Sequence, residues 1–191
     1  MDRCFHVSIM ADQVVFREFS EKFKEQFVAL NLEWLQDLFE VEQHDLEVLQ
    51  GCKEHVIDKG GHIILGLVGE KVVATLCFMS TTEEGVFELG KMCVAKELRG
   101  EGLGRKILEH SVQFGREQGW RRLVIYSCKC LHAALHLYTS AGFLQVARPP
   151  PPGPRAQVQL EADSPYCRAD IKLQLEMGET TAQPSPSVKH G

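Results

Sequence analysis

The chain of 191 residues lacks several features that would place it in a particular class of protein. No apolar run approaches the roughly 18 residues needed to cross a bilayer, and the N-terminal MDRCFHVSIM has no long apolar segment typical of a secretory signal. An excess of positive charge is also absent, because the formal net charge is -5. We find no internal repeat. These observations predict one globular domain without a nucleic-acid or membrane partner.

The cysteine content favours a reducing compartment. The seven cysteines are an odd number, and several lie in apolar segments. Together with the missing signal, this predicts reduced thiols and a cytoplasmic location, with a nuclear one left open. Cys128, Cys130, His132 and His136 invite a metal-site interpretation, but C-x-C is a poor zinc chelate, so we expect no metal.

Apolar periodicity predicts an α/β protein. The expected order is a strand, two helices, three antiparallel strands, a helix, a strand, a helix and two strands. Strands that arrive first as hairpins and then as β-α-β units indicate a mixed sheet with helices on both faces. The local signals are Ser20 as a helix N-cap, Gly69 in a hairpin turn and Gly119 after a helix. The expected ranges are strand 14–19, helices from Ser20 and from His44, strands 62–68, 72–79 and 86–94, helix 103–118, strand 123–127, helix 131–140, and strands 143–147 and 166–177.

The segment PPPPGP at 149–154 cannot be a central strand, because proline has no amide donor. We therefore expect one domain over residues 14–177 that contains an exposed Pro-rich insertion at 148–163. A short extension, 1–13, precedes this domain, and a polar, disordered tail, 178–191, follows it.

A glycine-rich loop precedes the helix predicted at 103–118. The stretch LRGEGLGRK starts at Leu98 and would lie at the positive end of that helix, which is a natural site for a phosphate group. Glycines let the backbone come close to an anion, and Arg99, Arg105 and Lys106 add charge-assisted hydrogen bonds.

Two common phosphate-binding loops do not fit this spacing. A P-loop needs Ser or Thr after the lysine, and a dinucleotide fold needs G-x-G-x-x-G after the first strand rather than G-x-G-x-G in mid-chain. A glycine-rich turn without a ligand stays as the plain alternative.

The loop resembles the R-x-x-G-x-G element of the GNAT acyltransferases. Three further segments resemble a set of small GNAT proteins, mostly of unassigned substrate: ELGKMCV at 88–94, ALHLYTSAGF at 134–143 and YCRADI at 166–171. The order of elements is also similar to the GNAT fold. The resemblance implies a mixed, mostly antiparallel sheet of about seven strands and the use of acetyl-CoA.

By the same resemblance, the glycine loop and the following amides hold the pyrophosphate of coenzyme A, and the strand before the loop runs beside the pantetheine arm. Close relatives usually have Asn where this chain has Cys128, which puts that local contact in doubt. The cofactor-binding residues expected from the resemblance are Met92, Cys93, Val94, Arg99, Gly100, Glu101, Gly102, Leu103, Gly104, Arg105, Lys106 and Cys128.

Acetyl transfer to an amine requires proton transfers, because a lysine-like amine has a pKa of about 10.4. The resemblance makes Glu88 the candidate base, with a structural ion pair or binding of a substrate cation as alternatives. Lys91 could be its partner or a solvated strand residue. Tyr138 is the candidate acid that protonates the leaving thiolate, with a merely packed tyrosine as the alternative.

The acceptor is expected to be a primary amine, with a small amine or amino acid favoured. Trp34, Tyr166 and Arg168 are the candidate acceptor-binding residues. Trp34 could equally be a core residue, and Tyr166 and Arg168 could lie on a solvated sheet face. If that face instead lines the cleft, Arg168 is suited to binding a carboxylate of the acceptor. Two alternatives stay open: the acceptor could be a protein lysine or N-terminus, or the protein could be a catalytically idle CoA-binding module. The oligomeric state is also open, and a homodimer is one possibility.

Overall fold

The computed structural model describes residues 13–146 and 168–178, in which seven strands form one sheet flanked by helices. A short 3-10 turn, Glu21–Phe23, leads into the first α-helix. In chain order the elements are β1 (Val15–Glu18), α1 (Lys24–Leu38), α2 (Gln43–Gln50), α3 (Cys52–His55), β2 (His62–Val68), β3 (Lys71–Ser80), β4 (Val86–Val94), α4 (Leu103–Glu117), β5 (Arg122–Ser127), α5 (His132–Ser140), β6 (Leu144–Gln145) and β7 (Ile171–Glu176).

The sheet has the order β1-β2-β3-β4-β5-β7-β6, and every neighbouring pair is antiparallel except β4 and β5. β3 is buried without interruption from Val72 to Phe78 because helices cover both of its faces. On one face Thr75 bonds to Asn31 of α1, and on the other Phe78 stacks on Phe114 of α4. The expected mixed, mostly antiparallel sheet with helices on both faces is confirmed.

β4 and β5 diverge after a short stretch of pairing. Their parallel ladder runs only from Val86 to Glu88, so within the described chain the rest of that β4 edge has no strand partner. On its other edge β4 has a bulge: Thr75 pairs with Cys93 and Cys77 with Gly90, so Leu76 lies opposite two residues, Lys91 and Met92. The bulge and the divergence together open a cleft beside β4.

Most local turn signals are confirmed. Gly69 connects β2 to β3 with φ +59°, and Gly119 follows α4 with φ +72°. Ser20 is different: its side chain makes no capping bond, and its carbonyl instead accepts from Phe23 N–H at 2.9 Å. The helix expected from His44 is interrupted at Gly51, whose backbone is not helical (φ -99°, ψ 35°).

The expected N-terminal extension, the Pro-rich insertion and most of the expected tail lie outside the described residues, so their boundaries stay predictions. The last two strands, β6 and β7, are shorter than expected in the described chain. In this part of the chain no helix is long and apolar enough to cross a membrane.

Candidate active site

A cleft of about 630 Å³ opens where β4 and β5 diverge. Its walls come from α1, from β4 beyond Phe87, from the glycine-rich loop, from the end of β5 and from α5. Arg168, just before β7, also lines it. Both residues expected to move protons, Glu88 and Tyr138, line this cleft, so the fold brings them to one site.

Glu88 is the last residue of β4 that pairs with β5. Within the described residues its carboxylate makes neither a hydrogen bond nor an ion pair. Burial raises the pKa of Glu88 to about 7, although the positive charges of Lys91 and Lys172 partly oppose this increase. Near neutral pH this carboxylate therefore exists in both protonation states, which suits a residue that accepts and releases a proton.

Tyr138 is almost fully buried at the end of α5, 8% exposed. Within the described residues its hydroxyl has no hydrogen-bond partner, and Ser111 Oγ is the one side-chain polar atom that is both fully buried and unpartnered. The Tyr138 hydroxyl is therefore not fully buried, and Tyr138 is one of the residues that line the cleft. Burial raises the pKa of this phenol to about 12, so the hydroxyl is protonated at neutral pH and is available as a hydrogen-bond and proton donor.

The glycine-rich loop has the backbone that the sequence predicts. Gly100 and Gly102 have φ values of +86° and +78°, which residues with a Cβ atom rarely adopt, and Gly102 directly precedes α4. The N–H groups of Arg105 and Lys106 both donate to Gly102 O, at 3.0 and 3.1 Å, so these two amides are already bonded. The amides at the very start of α4 are thus the better placed to bind an anion.

The expected cofactor-binding residues divide into two groups. One group lines the cleft, and its member Arg99 also donates from Nε to Val94 O at 3.0 Å, which ties the loop to β4. The other group lies at the start of α4, outside the cleft lining, and there the Leu103 side chain belongs to the core. The first group is Met92, Cys93, Val94, Arg99, Gly100, Gly104 and Cys128, and the second is Glu101, Gly102, Leu103, Arg105 and Lys106.

Of the three expected acceptor-binding residues, Trp34 and Arg168 line the cleft, and Tyr166 lies outside the described residues. The Trp34 ring packs against Phe39 at 5.9 Å. Arg168 lies over the same phenylalanine and binds Asp45 through two nitrogens, each at 2.8 Å, and Glu42 at 2.9 Å. Its guanidinium therefore already holds two protein carboxylates, so the hypothesis that it binds a substrate carboxylate stays untested.

Asp45 is a residue that the sequence analysis did not single out. It is completely buried, and its carboxylate binds Lys91 Nζ at 2.6 Å as well as Arg168. Burial on its own would raise the pKa of Asp45, but hydrogen bonds from the two cations outweigh it and lower the pKa below its ordinary value. Lys91 is therefore neither the ion-pair partner of Glu88 nor a solvated strand residue. In the sequence, Glu42 and Asp45 look like the start of a helix, which concealed this burial.

A second polar chain links α1 to the bulge in β4. Asn31 donates from Nδ2 to Phe27 O at 2.9 Å and to Thr75 Oγ1 at 3.1 Å, and Thr75 Oγ1 donates to Lys91 O at 2.9 Å. Asn31 lines the cleft. The sequence analysis did not identify Thr75, because it lies in an apolar segment typical of a core strand.

Cys128 lies at the cleft, and the structure joins it to Cys130 as a disulfide with a Cα–Cα distance of 5.1 Å. A tight turn after β5 brings the two side chains together, and the expectation of reduced thiols in the cell stays a prediction. Cys52, Cys77 and Cys93 are free and buried. Within the described residues no group of three or more potential ligands lies close enough to hold a metal ion.

Comparison with known proteins agrees with this geometry. The profile of the acetyltransferase (GNAT) family matches residues 21–143, which is more than half of the chain. The curated protein N-acetyltransferase 8B of Rattus norvegicus is 26% identical over 95 residues, which are 48% of this chain and 43% of that protein. The match thus spans less than half of that relative.

Solved structures show the same fold. A GNAT-family acetyltransferase of Staphylococcus aureus superposes with a TM-score of 0.71 at 17% identity, over 86% of this chain and 99% of that one. N-acetylglutamate synthase of Neisseria gonorrhoeae, solved with coenzyme A and N-acetyl-glutamate, gives a TM-score of 0.63 at 16% identity, over 87% of this chain and 35% of that one.

Proposed function

The chain belongs to the GNAT acetyltransferase family, whose members use acetyl-CoA, and we propose that it transfers an acetyl group from acetyl-CoA directly to a primary amine. The observation that carries the proposal is the pairing of Glu88 and Tyr138 in one cleft. Burial raises the pKa of the Glu88 carboxyl to about 7 and that of the Tyr138 phenol to about 12, so near neutral pH the first group can exchange a proton and the second is present as a protonated hydroxyl.

The cleft and the adjoining start of α4 have a suitable place for each part of acetyl-CoA. The pyrophosphate would lie at the N-terminus of α4, beside the loop from Arg99 to Gly104, where helix amides and cations favour an anion. The pantetheine arm would run along the β4 edge at Met92–Val94, which no described strand occupies. Bound there, acetyl-CoA supplies a thioester whose carbonyl carbon accepts the amine.

The residues of this chain would then carry the proton transfers. Glu88 removes a proton from the acceptor ammonium, which makes the nitrogen a nucleophile. The nitrogen–carbon bond forms, the carbon–sulfur bond breaks, and the Tyr138 hydroxyl protonates the departing thiolate. The attacking nitrogen loses its second proton as the amide forms, and this proton restores the Tyr138 hydroxyl. Backbone N–H groups of β4 are suited to stabilise the negative charge that develops on the carbonyl oxygen. The products are an N-acetylated amine and coenzyme A.

We favour a small amine or an amino acid as the acceptor, acted on in the cytoplasm. The aromatic side chains Trp34 and Phe39 form an apolar part of the cleft wall, and an amine with an apolar portion fits such a wall. The Neisseria gonorrhoeae enzyme with the same fold was solved with an acetylated amino acid, which supports this choice. A protein lysine or N-terminus is the second candidate.

The test is amine-dependent release of thiol from acetyl-CoA, measured with a panel of amino acids, alkylamines, arylamines and lysine-containing peptides. Mass spectrometry of the amine should show the added acetyl group. Glu88→Gln and Tyr138→Phe should each lower the rate, whereas Glu84→Gln, which changes an exposed carboxylate, should not. Binding of acetyl-CoA without thiol release for any amine would instead favour a CoA-binding module.

A further inference from the structure

Lys91 has a backbone conformation that is unusual for its position in a strand. Its φ of +48° makes it the one non-glycine residue with positive φ in the described part of the chain. Side chains with a Cβ atom disfavour this left-handed region, and a residue stays there only when its surroundings hold it. Lys91 lies in the β4 bulge and lines the cleft, so the unusual conformation is at the candidate site.

Contacts hold Lys91 at both its side chain and its backbone. The ammonium group binds Asp45 at 2.6 Å, and the two side chains are only 5% and 0% exposed. The Lys91 carbonyl accepts from Thr75 Oγ1 at 2.9 Å, and Asn31 fixes that threonine in turn. A buried charge pair and a buried hydrogen bond therefore oppose any rotation of this residue toward an ordinary strand conformation.

Asp45 is itself rigidly placed. It lies in the first turn of α2, its Oδ2 accepts from the Glu42 N–H at 3.1 Å, and Arg168 binds both of its oxygens. The Asp45 carboxylate thus connects α2, the bulge in β4 and the residue before β7. It is well suited to anchor Lys91, because its position does not depend on that lysine alone.

We propose that Lys91 and Asp45 are positioning residues of acetyl transfer: their ion pair holds the left-handed bulge in β4, so that the adjoining backbone N–H groups face the thioester carbonyl. This inference rests on the proposed function, since it assigns a purpose to the bulge within that reaction. Neither side chain takes part in the chemistry. The backbone conformation at position 91, and not the ammonium charge, is what the reaction requires.

The competing role for Lys91 is a direct electrostatic one. Its charge favours the ionised form of Glu88, as the causes of the Glu88 pKa show. Every substitution that removes the ammonium removes this effect equally. Variants that share the loss of charge but differ in their tolerance of positive φ therefore separate the two roles.

The experiment compares Lys91→Gly, Lys91→Asn and Lys91→Met. Glycine adopts the left-handed region readily, asparagine visits it, and methionine does so rarely. We expect Lys91→Met to lower kcat by about 100-fold, as a misplaced reacting group or a lost oxyanion donor does. Lys91→Gly should retain kcat within about tenfold of wild type, with Lys91→Asn between the two. Equal kcat for the glycine and methionine variants would overturn the proposal.

Asp45→Asn provides the second arm. In the wild-type background it should lower kcat strongly, whereas in the Lys91→Gly background it should change kcat by less than about threefold, because no held conformation is left to lose. An equally strong effect in both backgrounds would contradict the inference. The matched control is Asp58→Asn, which breaks the exposed Lys53–Asp58 pair (2.5 Å) and should leave kcat unchanged.

Hydrogen exchange of the β4 amides in the free protein adds a readout that does not need turnover. Lys91→Met should exchange faster than Lys91→Gly on both sides of the bulge, because only the former strains this segment. If the wild type releases no thiol, the proposed function fails, and exchange still tests how the bulge is held. Equal exchange in the two variants would overturn that part of the inference directly.

Discussion

The conflict between stability and function at Glu88 leads to a quantitative prediction for Glu88→Gln. Burial raises the pKa of this carboxyl from 4.5 to about 7, so the folded protein holds the ionised form at a cost. Glutamine has nearly the same shape, stays neutral at every pH and cannot accept the acceptor's proton. The substitution should therefore stabilise the fold while it reduces acetyl transfer.

The size and sign of this effect follow from the two pKa values. Each pKa unit corresponds to about 1.4 kcal/mol, so ionising Glu88 in the folded state costs up to about 3 kcal/mol. Because the folded pKa is the higher one, the favourable contribution of neutral Glu88 is fully present below the unfolded pKa, 4.5, and is lost as the pH rises through about 7. Relative to wild type, the unfolding free energy of Glu88→Gln should increase very little near pH 4.5 and by the full amount above about pH 7.

Urea denaturation at about pH 5 and about pH 8.5 measures this gain as the difference in unfolding free energy between variant and wild type. Glu84→Gln, which changes an exposed carboxylate in the turn before β4, is the matched control and should show no comparable pH dependence. A Glu88→Gln variant that is no more stable than wild type at the higher pH would refute the assignment of a desolvated base.

Two further predictions concern hydroxyl groups. A third concerns the pH dependence of wild-type activity and follows from the pKa of Glu88. Tyr138→Phe should lower kcat by about 100-fold in steady-state kinetics through loss of general acid catalysis. Urea denaturation should show little change in stability, since the hydroxyl has no partner within the described residues. Ser111→Ala should stabilise the protein by about 1 kcal/mol in urea denaturation, because Ser111 Oγ is fully buried without a hydrogen bond, and a loss of stability would indicate an unseen partner. For the free enzyme, kcat/KM should fall as the pH drops below about 7, where Glu88 takes up its proton, and a profile flat to pH 5 would contradict its role as base.

Much of the fold is predictable from short-range patterns. The hairpin at Gly69 and the helix end at Gly119 both depend on positive φ, which the local sequence signals directly. The start of α4 after Gly102 was likewise predictable, because glycines and a following amphipathic pattern occur together there. Glu88 and Tyr138 were predicted as proton-transfer residues from a resemblance of motifs, and the fold places both at one cleft.

The long-range polar contacts at the site were not predictable. Asp45 and Lys91 are separated by 46 positions in the chain, and neither segment signals that its charge is buried. An acidic residue in the first turn of a helix is usually a solvated capping group, and a lysine in a strand usually faces solvent. The left-handed conformation of Lys91 has no sequence signal at all, because tertiary contacts impose it.

The most direct test of the account is calorimetric titration of acetyl-CoA into wild type, Gly102→Glu and Gly119→Glu. The two glycines flank opposite ends of α4, both have positive φ, and a Cβ atom at either would meet nothing within 4 Å, so the variants share their steric, conformational and charge changes. We predict that wild type and Gly119→Glu bind, whereas Gly102→Glu binds about 100-fold more weakly, because like charges in contact cost several kcal/mol. Equal affinity in all three proteins, or no binding by wild type, would contradict a pyrophosphate site at the start of α4.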